Sequence, residues 1–152
     1  MAEPQRQAFL DANVLRGQLT TDVLLTLADK GAFEPRWSQE VLAEVRRNRP
    51  PNLSEAAIDR RLSQMNRAFP QAMVSGYEHL MPQMRADEKD KHVLAAAVHV
   101  EATLLVTENV KDFDPPTTGP HAMHVDRTSQ FLNRQPRARC CRDERNGQQN
   151  QP

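Results

Sequence analysis

One stretch of the sequence, residues 87–113, limits the possible folds more than any other. It reads DEKDKHVLAAAVHVEATLLVTENVKDF, in which an apolar helix headed by acids is followed by an apolar strand that ends in polar and acidic residues. A helix that is apolar almost all round is buried, and such a strand is typical of a parallel sheet covered on both faces. Because ligands bind outside the carboxyl ends of strands in these sheets, the stretch also predicts where a site lies.

The rest of the chain alternates strands with helices, which predicts a mostly parallel central sheet with helices on both faces, an α/β fold. The predicted strands are residues 7–10, 33–37, 72–74, 103–107 and 123–125; the predicted helices are residues 19–30, 38–47, 55–69 and 87–100, with a short helical turn through residue 132. Gly31 is expected to end the first helix, Ser38 to cap the second, and Asn52 to form a capping box with Glu55 before the third.

The length of 152 residues fits one domain, which we place at residues 1–133. Residues 134–152 are rich in Arg, Gln and Asn without apolar periodicity, so we expect a disordered tail there. The only cysteines, Cys140 and Cys141, are adjacent and form no zinc or disulfide framework. No apolar run is long enough to span a membrane and no secretory signal is evident, so we expect a cytoplasmic protein.

Polar residues with oxygen ligands follow the predicted strands or begin the helices after them. Asp11 ends the first strand, Asp90 lies in the first turn of the buried helix, and Asn109 and Asp112 follow a later strand. Carboxylates that converge without basic partners repel one another, and a hard cation, Mg²⁺ or Mn²⁺, resolves that repulsion. Such an ion activates water and neutralises charge on a phosphodiester, so the pattern favours phosphodiester hydrolysis.

Glu44 is the fourth acid that we select, in preference to Glu40. At about 100° per residue, Glu44 lies roughly 60° from Val41 on the flank of the apolar arc of its helix, whereas Glu40 lies roughly 100° away. Each acid also has a simpler explanation when taken alone: Asp90 as a position near a helix N-terminus capped by Asp87, Asp11 as a turn residue, and Glu44 as an exposed partner of Arg47. Only the joint occurrence supports a site.

Basic residues are concentrated in one central region although the whole chain is neutral. Six arginines between residues 46 and 67 are accompanied by only two acids, and such a patch steers a polyanion toward an acidic site. Arg46 and Arg47 are therefore candidates for holding a nucleic-acid backbone, with a solvated helix face as the alternative. The hydroxyls of Ser38 and Thr107 are candidates for bonding a site carboxylate or are ordinary strand ends, and the histidines, His92 included, are expected at the surface.

Four motifs together resemble the PIN-domain family, in particular the VapC-like toxin ribonucleases of bacterial toxin–antitoxin pairs. They are FLDANVL around Asp11, SQEVLAEV around Glu44, DEKDKHVLAAA around Asp90, and LLVTENVKDF around Asn109 and Asp112. The resemblance implies a three-layer α/β/α domain whose acids hold Mg²⁺ or Mn²⁺ and cleave RNA, with Asp11, Glu44 and Asp90 at the three core acidic positions.

The resemblance also implies partners and exposes one departure. It implies a homodimer and a small antitoxin protein that blocks the site. Many members carry aspartate where this chain has Asn109, whose neutral carbonyl is a weaker ligand, and Asp112 lies three residues later as a possible replacement. The number of metal ions is therefore left open.

The leading hypothesis is a metal-dependent endoribonuclease in which Asp11, Glu44 and Asp90 bind the ion while Asn109 and Asp112 help to position it. The alternative, motivated by Asn109, is a non-catalytic PIN-fold module that binds RNA or another protein. A third reading, a phosphotransfer domain with Asp11 as the covalent acceptor, is weakened because no second aspartate follows two residues after it.

Overall fold

The computed structural model describes residues 6–135 as a five-stranded sheet with helices packed on it. The strands are β1 (Gln7–Leu10), β2 (Glu34–Ser38), β3 (Met73–Val74), β4 (Leu104–Val106) and β5 (His124–Asp126). The helices are α1 (Ala12–Leu15), α2 (Gln18–Asp29), α3 (Gln39–Arg47), α4 (Glu55–Ala68), α5 (Lys91–His99) and α6 (Thr128–Arg134). Three 3-10 turns complete it: Glu78–Gln83, Glu88–Asp90 and Val110–Asp112.

The sheet order is β3-β2-β1-β4-β5, and every pair of neighbouring strands in it is parallel. The chain steps from β1 to β2 to β3 in one direction and then returns past β1 to β4. Since crossovers between parallel strands are right-handed, this reversal places α5 on the opposite face from the helices that precede it. The α/β class with a parallel central sheet is confirmed, and the strands β1 and β4 flank the point where the winding reverses.

The core forms because the strands and one helix are apolar on every side that faces another element. In α5 every residue from His92 to Val98 is buried, which confirms the sequence-based expectation of a buried helix. Phe33 stacks edge-on against Phe131 with ring centroids 4.9 Å apart, which attaches α6 to the sheet. Trp37 is fully buried and its indole N–H donates to Asn66 Oδ1 at 2.8 Å, which attaches α4.

Two helix starts differ from the sequence-based expectation. The helix α4 is capped by Ser54, whose Oγ accepts the Ala57 N–H at 3.1 Å, so the predicted capping box at Asn52 is wrong. The helix predicted from residue 87 begins as a 3-10 turn and becomes α-helical only at Lys91. The reason is that the Asp87 N–H donates to Asp112 O at 3.1 Å, which holds residue 87 in an extended pairing rather than in a helix.

The other predicted boundaries agree closely with the elements. Ser38 caps α3 by accepting the Val41 N–H, and Gly31 follows α2 with a φ of 86°, a conformation that glycine adopts without steric cost. The last helix continues through Arg134, and Gln135 is buried. The remainder of the predicted tail, and residues 1–5 of the predicted domain, lie outside the described residues. Among those that are described, no helix combines the length and apolar character needed to cross a membrane.

Candidate metal centre

The site is built where β1 and β4 end side by side, at the point where the sheet reverses its winding. Asp11 follows β1 directly, and its N–H donates to Val106 O at 3.1 Å. Its Oδ1 accepts the Ala12 N–H at 2.7 Å, which caps α1, and its Oδ2 accepts the hydroxyl of Thr107 at 2.8 Å. Both carboxylate oxygens are therefore fixed by neighbouring groups. Ligands bind at this position in open parallel sheets.

Thr107 joins the end of β4 to the start of α1. Besides donating to Asp11, its Oγ1 accepts the Asn109 N–H at 3.1 Å and the Asn13 side-chain amide at 3.3 Å. The Asn13 carbonyl oxygen accepts the Glu108 N–H at 3.1 Å in return. Of the two readings that the sequence leaves open for Thr107, the structure shows the hydrogen bond to a carboxylate, and this bond orients Asp11.

The carboxyl group of Asp11 lies in an unfavourable place for a negative charge. Only 4% of the residue is exposed, and this burial is the largest cause of a pKa that is raised above the usual value. The negative charges of Asp90 and Glu44 raise the pKa further, against the lowering effect of the bonds from Thr107 and Ala12. The charges of Asp90 and Glu44 therefore both act on the Asp11 carboxyl group.

A second grouping shares Asp90 with the first. Asp87, Asp90 and Asp112 each offer a carboxylate oxygen, and these oxygens all lie within 4.8 Å of one another; we refer to these residues as the acid triad. An antiparallel bridge between Ala86 and Phe113 holds the two outer members together, with the Asp87 N–H bonded to Asp112 O. Asp87 is exposed and the other two are half-buried.

Lys89 projects into the acid triad from the 3-10 turn that carries Asp90. Its Nζ lies 2.8 Å from Asp90 Oδ2, 3.7 Å from Asp112 Oδ2 and 3.8 Å from Asp87 Oδ2. The bond to Asp90 is the largest cause of a raised pKa of the Lys89 ammonium, and the charges of the three acids add to it. The position between these carboxylates is therefore one that attracts a cation.

The donor set fits a hard divalent cation. Carboxylate oxygens are the ligands that Mg²⁺ and Mn²⁺ prefer, and these residues supply them from α3, the end of β1, and the two segments around the bridge. Burial, followed by the charges of Asp90 and Glu44, raises the pKa of Asp11, and a cation bound nearby would favour its ionised form.

Glu40 has a structural role beside the site, which distinguishes it from Glu44. Its Oε1 accepts the hydroxyl of Tyr77 at 2.5 Å and lies 3.8 Å from His92 Nδ1. The bond to Tyr77 joins α3 to the segment before the turn Glu78–Gln83, and the approach to His92 brings α3 close to α5. His92 is buried, so its expected surface position is wrong: it projects from the buried helix toward Glu40 rather than toward solvent.

Tyr77 offers a direct test of this packing, because it is the only tyrosine in the chain. Burial, followed by the bond to Glu40, raises the pKa of Tyr77 to about 12. We expect the phenol of the folded protein to ionise near that value, and near 10 in denaturant, as followed by phenolate absorbance in the near ultraviolet. Stability should be unaffected below about pH 10 and should fall by about 2–3 kcal/mol as the pH rises to about 12. A folded-state midpoint near 10 would contradict the contact.

The remaining predicted site residues, Asn109, Arg46 and Arg47, lie outside the acid triad. Asn109 is exposed at the start of the turn Val110–Asp112, and its backbone oxygen accepts the Asp112 N–H at 3.0 Å. Arg46 bonds both carboxylate oxygens of Asp59 at 2.7 and 3.3 Å and lies 3.4 Å from Glu55. Arg47 is exposed, and its side chain makes no hydrogen bond or ion pair within residues 6–135. Of the two arginines, Arg47 is the one with an uncompensated charge.

Sequence reasoning missed two residues of this centre. Asp87 was interpreted as a helix cap, yet its side chain makes no cap hydrogen bond and instead belongs to the acid triad. Lys89 is the second, and no motif in the sequence singles it out. The i, i+3 spacing of Asp87 and Asp90 was a usable signal for the first, but the bridge to residue 113 that brings in Asp112 is a long-range contact without a local sequence pattern.

Comparison with known proteins agrees with this architecture. The solved structure entitled "Structure of FitAB bound to IR36 DNA fragment" superimposes with a TM-score of 0.55 at 17% identity, covering 80% of this chain and 94% of the other. The "Crystal structure of VapBC2 from Rickettsia felis bound to a DNA fragment from their promoter" gives a TM-score of 0.54 at 17% identity, covering 79% and 98%. At this identity the likeness establishes the fold alone.

Sequence comparison gives the family. The protein named "Putative ribonuclease VapC50" of Mycobacterium tuberculosis (strain ATCC 25618 / H37Rv) is 41% identical over 58 residues, which is 36% of this chain; the match spans only 34% of that relative's length. Residues 7–111 match the family described as PIN domain (PIN_3), a range that includes Asp11, Glu44, Asp90 and Asn109 and ends one residue before Asp112. The chain therefore belongs to the PIN-domain family.

Proposed function

We propose that this protein is a metal-dependent endoribonuclease that hydrolyses RNA phosphodiester bonds. The observation that carries the proposal is the acid triad of a PIN-domain chain, one member of which, Asp90, acts with Glu44 on the charge of Asp11 at the end of β1. The similarity of part of the chain to a protein named as a ribonuclease supports the choice of RNA. Mg²⁺ or Mn²⁺ is the proposed cofactor, because all the converging donors are hard oxygen ligands.

Each residue has a proposed role. Asp11, Glu44 and Asp90 are the catalytic acids that hold the ion, and Asn109 and Asp112 help to position it, now together with Asp87. A divalent cation bound there supplies positive charge to the phosphodiester and makes water a better nucleophile. The bonds from Ala12 and Thr107 fix both oxygens of Asp11 before the ion arrives, so less ordering is required on binding.

The substrate backbone is proposed to run past Arg46 and Arg47 at the end of α3. Arg47, exposed and unpaired among the described residues, is the better of the two proposed backbone contacts. Arg46 is already compensated by Asp59 and Glu55, so its bond to a phosphate requires exchange of partners. Contacts of this kind give sequence-independent affinity that weakens with salt.

The biological role we propose is that of the toxin in a toxin–antitoxin pair, acting in the cytoplasm as a homodimer. The similarity to a VapC-named protein and the fold shared with chains of FitAB and VapBC2 support this proposal. A small antitoxin protein that covers the acids is the expected partner. Co-expression with an adjacent small reading frame, which should relieve growth arrest, tests this role separately from the chemistry.

One specific observation favours a second candidate, a non-catalytic PIN-fold module that binds RNA or protein. Asn109 is neutral and exposed where a carboxylate would strengthen the centre. Calorimetry with Mn²⁺ separates the candidates, because a non-catalytic module without a competent centre should take up no metal at the acids.

The experiment that tests the proposed function is metal removal. Purified protein should cleave single-stranded RNA with Mg²⁺ or Mn²⁺, lose cleavage in excess chelator, and regain it when either ion is restored. Ca²⁺ is a useful comparison for Mg²⁺. It binds the same kind of oxygen ligands, but it is larger and its coordination geometry is more variable. Cleavage that persists in chelator would overturn the metal dependence, and the absence of both RNA cleavage and metal uptake would favour the second candidate.

A further inference from the structure

The ammonium group of Lys89 occupies the place among the acid triad that a metal ion would take. It makes a hydrogen bond of 2.8 Å to Asp90 Oδ2 and lies within 3.8 Å of an oxygen of each other member. No other lysine or arginine of the described residues lies within ion-pair distance of these three acids. Lys89 is thus a cation attached to the chain and held by the proposed metal ligands.

A lysine ammonium and a divalent ion cannot share this position. The oxygens of the acid triad all lie within 4.8 Å of one another, so two cations bound to them would be a few ångströms apart and would repel strongly. The ammonium also satisfies part of the negative charge that otherwise attracts the ion. Metal binding therefore requires the Lys89 head group to leave.

The Lys89 side chain is able to leave at small cost. It is 68% exposed, and its flexible stem lies on the turn Glu88–Asp90 at the surface. Lysine heads are strongly hydrated, and an exposed ion pair contributes little once water competes for it. The side chain thus lowers the metal affinity without preventing metal binding.

We propose that Lys89 is a tethered counter-cation that neutralises the acid triad in the metal-free protein and competes with the divalent ion for it. This inference rests on the proposed function, because it concerns the same metal centre. Its consequence is that Lys89 sets the ion concentration at which the centre becomes occupied. In the metal-free state it also keeps three neighbouring carboxylates from destabilising the turn that carries Asp90.

Two other lysines lie next to members of the acid triad in the sequence, but neither forms an ion pair with it. Lys91 bonds Glu88 at 3.2 Å, away from the acid triad. Lys111 lies directly before Asp112 but is exposed and has no hydrogen bond or ion pair within the described part of the chain. Lys111→Met therefore removes the same formal charge from the same region without removing a contact, which makes it the matched control for Lys89→Met.

The test is titration of the metal-free protein and its variants with MnCl₂ by calorimetry, without RNA. Lys89→Met, which keeps the apolar stem, should bind Mn²⁺ about two- to fivefold more tightly than the unmodified protein, as expected for losing one competing ion pair. Lys111→Met should change the affinity by less than about twofold. Without metal, Lys89→Met should also melt at a lower temperature than the unmodified protein. Saturating Mn²⁺ should raise its melting temperature by more.

The outcomes separate this inference from the proposed function. If Lys89→Met binds Mn²⁺ no more tightly than Lys111→Met, the competition by Lys89 is overturned while the metal centre stands. If none of the proteins takes up Mn²⁺, the metal centre itself fails and the inference fails with it. Tighter binding by Lys89→Met alone supports both.

Discussion

Asp90→Asn is expected to lower the rate of RNA cleavage at least about 100-fold, because even residues that only support a metal ligand typically contribute 10- to 100-fold. Asp90 belongs to both groupings of acids: it lies in the acid triad, and its charge acts on Asp11. The fold should survive, since the Asp90 side chain caps no helix and, within residues 6–135, bonds only Lys89. Initial rates over a range of Mn²⁺ concentrations, with circular dichroism of both proteins, measure the effect.

Asp114→Asn is the matched control for Asp90→Asn. Asp114 lies two residues after Asp112 on the same bridged segment, but its carboxylate pairs with Arg85 at 3.0 Å and lies outside the acid triad. The control variant should therefore cleave RNA at nearly the unmodified rate. Equal activity of both variants would show that the acid triad does not carry the reaction, whatever the source of the cleavage.

The parts of this protein that local sequence patterns determine were predictable. The apolar segment at residues 104–106 and the buried run of α5 follow from which side chains avoid water, so the parallel sheet and the address of the site could be derived. The choice of Glu44 over Glu40 came from helical geometry. The contacts of Glu40 with Tyr77 and His92 agree with that choice, although Glu44 as a ligand remains a prediction.

What could not be predicted depends on contacts between distant segments. The start of α5 moved to Lys91 because the bridge between Ala86 and Phe113 competes with the helix for residue 87, and no local pattern reports that competition. The same bridge turns Asp87 from an expected cap into a member of the acid triad. The burial of His92 likewise depends on α5 being covered by neighbours on all sides, so a polar residue in an apolar run became a core residue.

Asp11→Asn should make the metal-free protein more stable, by about 1 kcal/mol in urea unfolding, a typical gain when an unfavourable native group is replaced. In the unmodified protein, burial and the charges of Asp90 and Glu44 raise the pKa of the Asp11 carboxyl group. Ionised Asp11 therefore opposes folding at neutral pH. The free energy of unfolding of the unmodified protein therefore includes the full contribution of protonated Asp11 below about pH 4. It loses this contribution as the pH rises through the folded-state pKa. The difference between the proteins should therefore vanish at acid pH.

Saturating Mn²⁺ should make the unmodified protein more stable than Asp11→Asn, the reverse of their order without metal. This reversal links the stability effect to metal binding. A ligand at about 100 times its Kd stabilises the protein that binds it by about 2.7 kcal/mol, and Asp11→Asn should gain much less because a core ligand is gone. Asp126→Asn is the control: it is also a buried acid at a strand end, but its carboxylate lies 3.3 Å from Arg134, so its gain from Mn²⁺ should equal that of the unmodified protein. If metal-free Asp11→Asn is instead the less stable protein, the bonds from Ala12 and Thr107 outweigh the burial of the charge. In that case Asp11 stabilises the metal-free fold, and its burial does not destabilise the protein in the absence of metal.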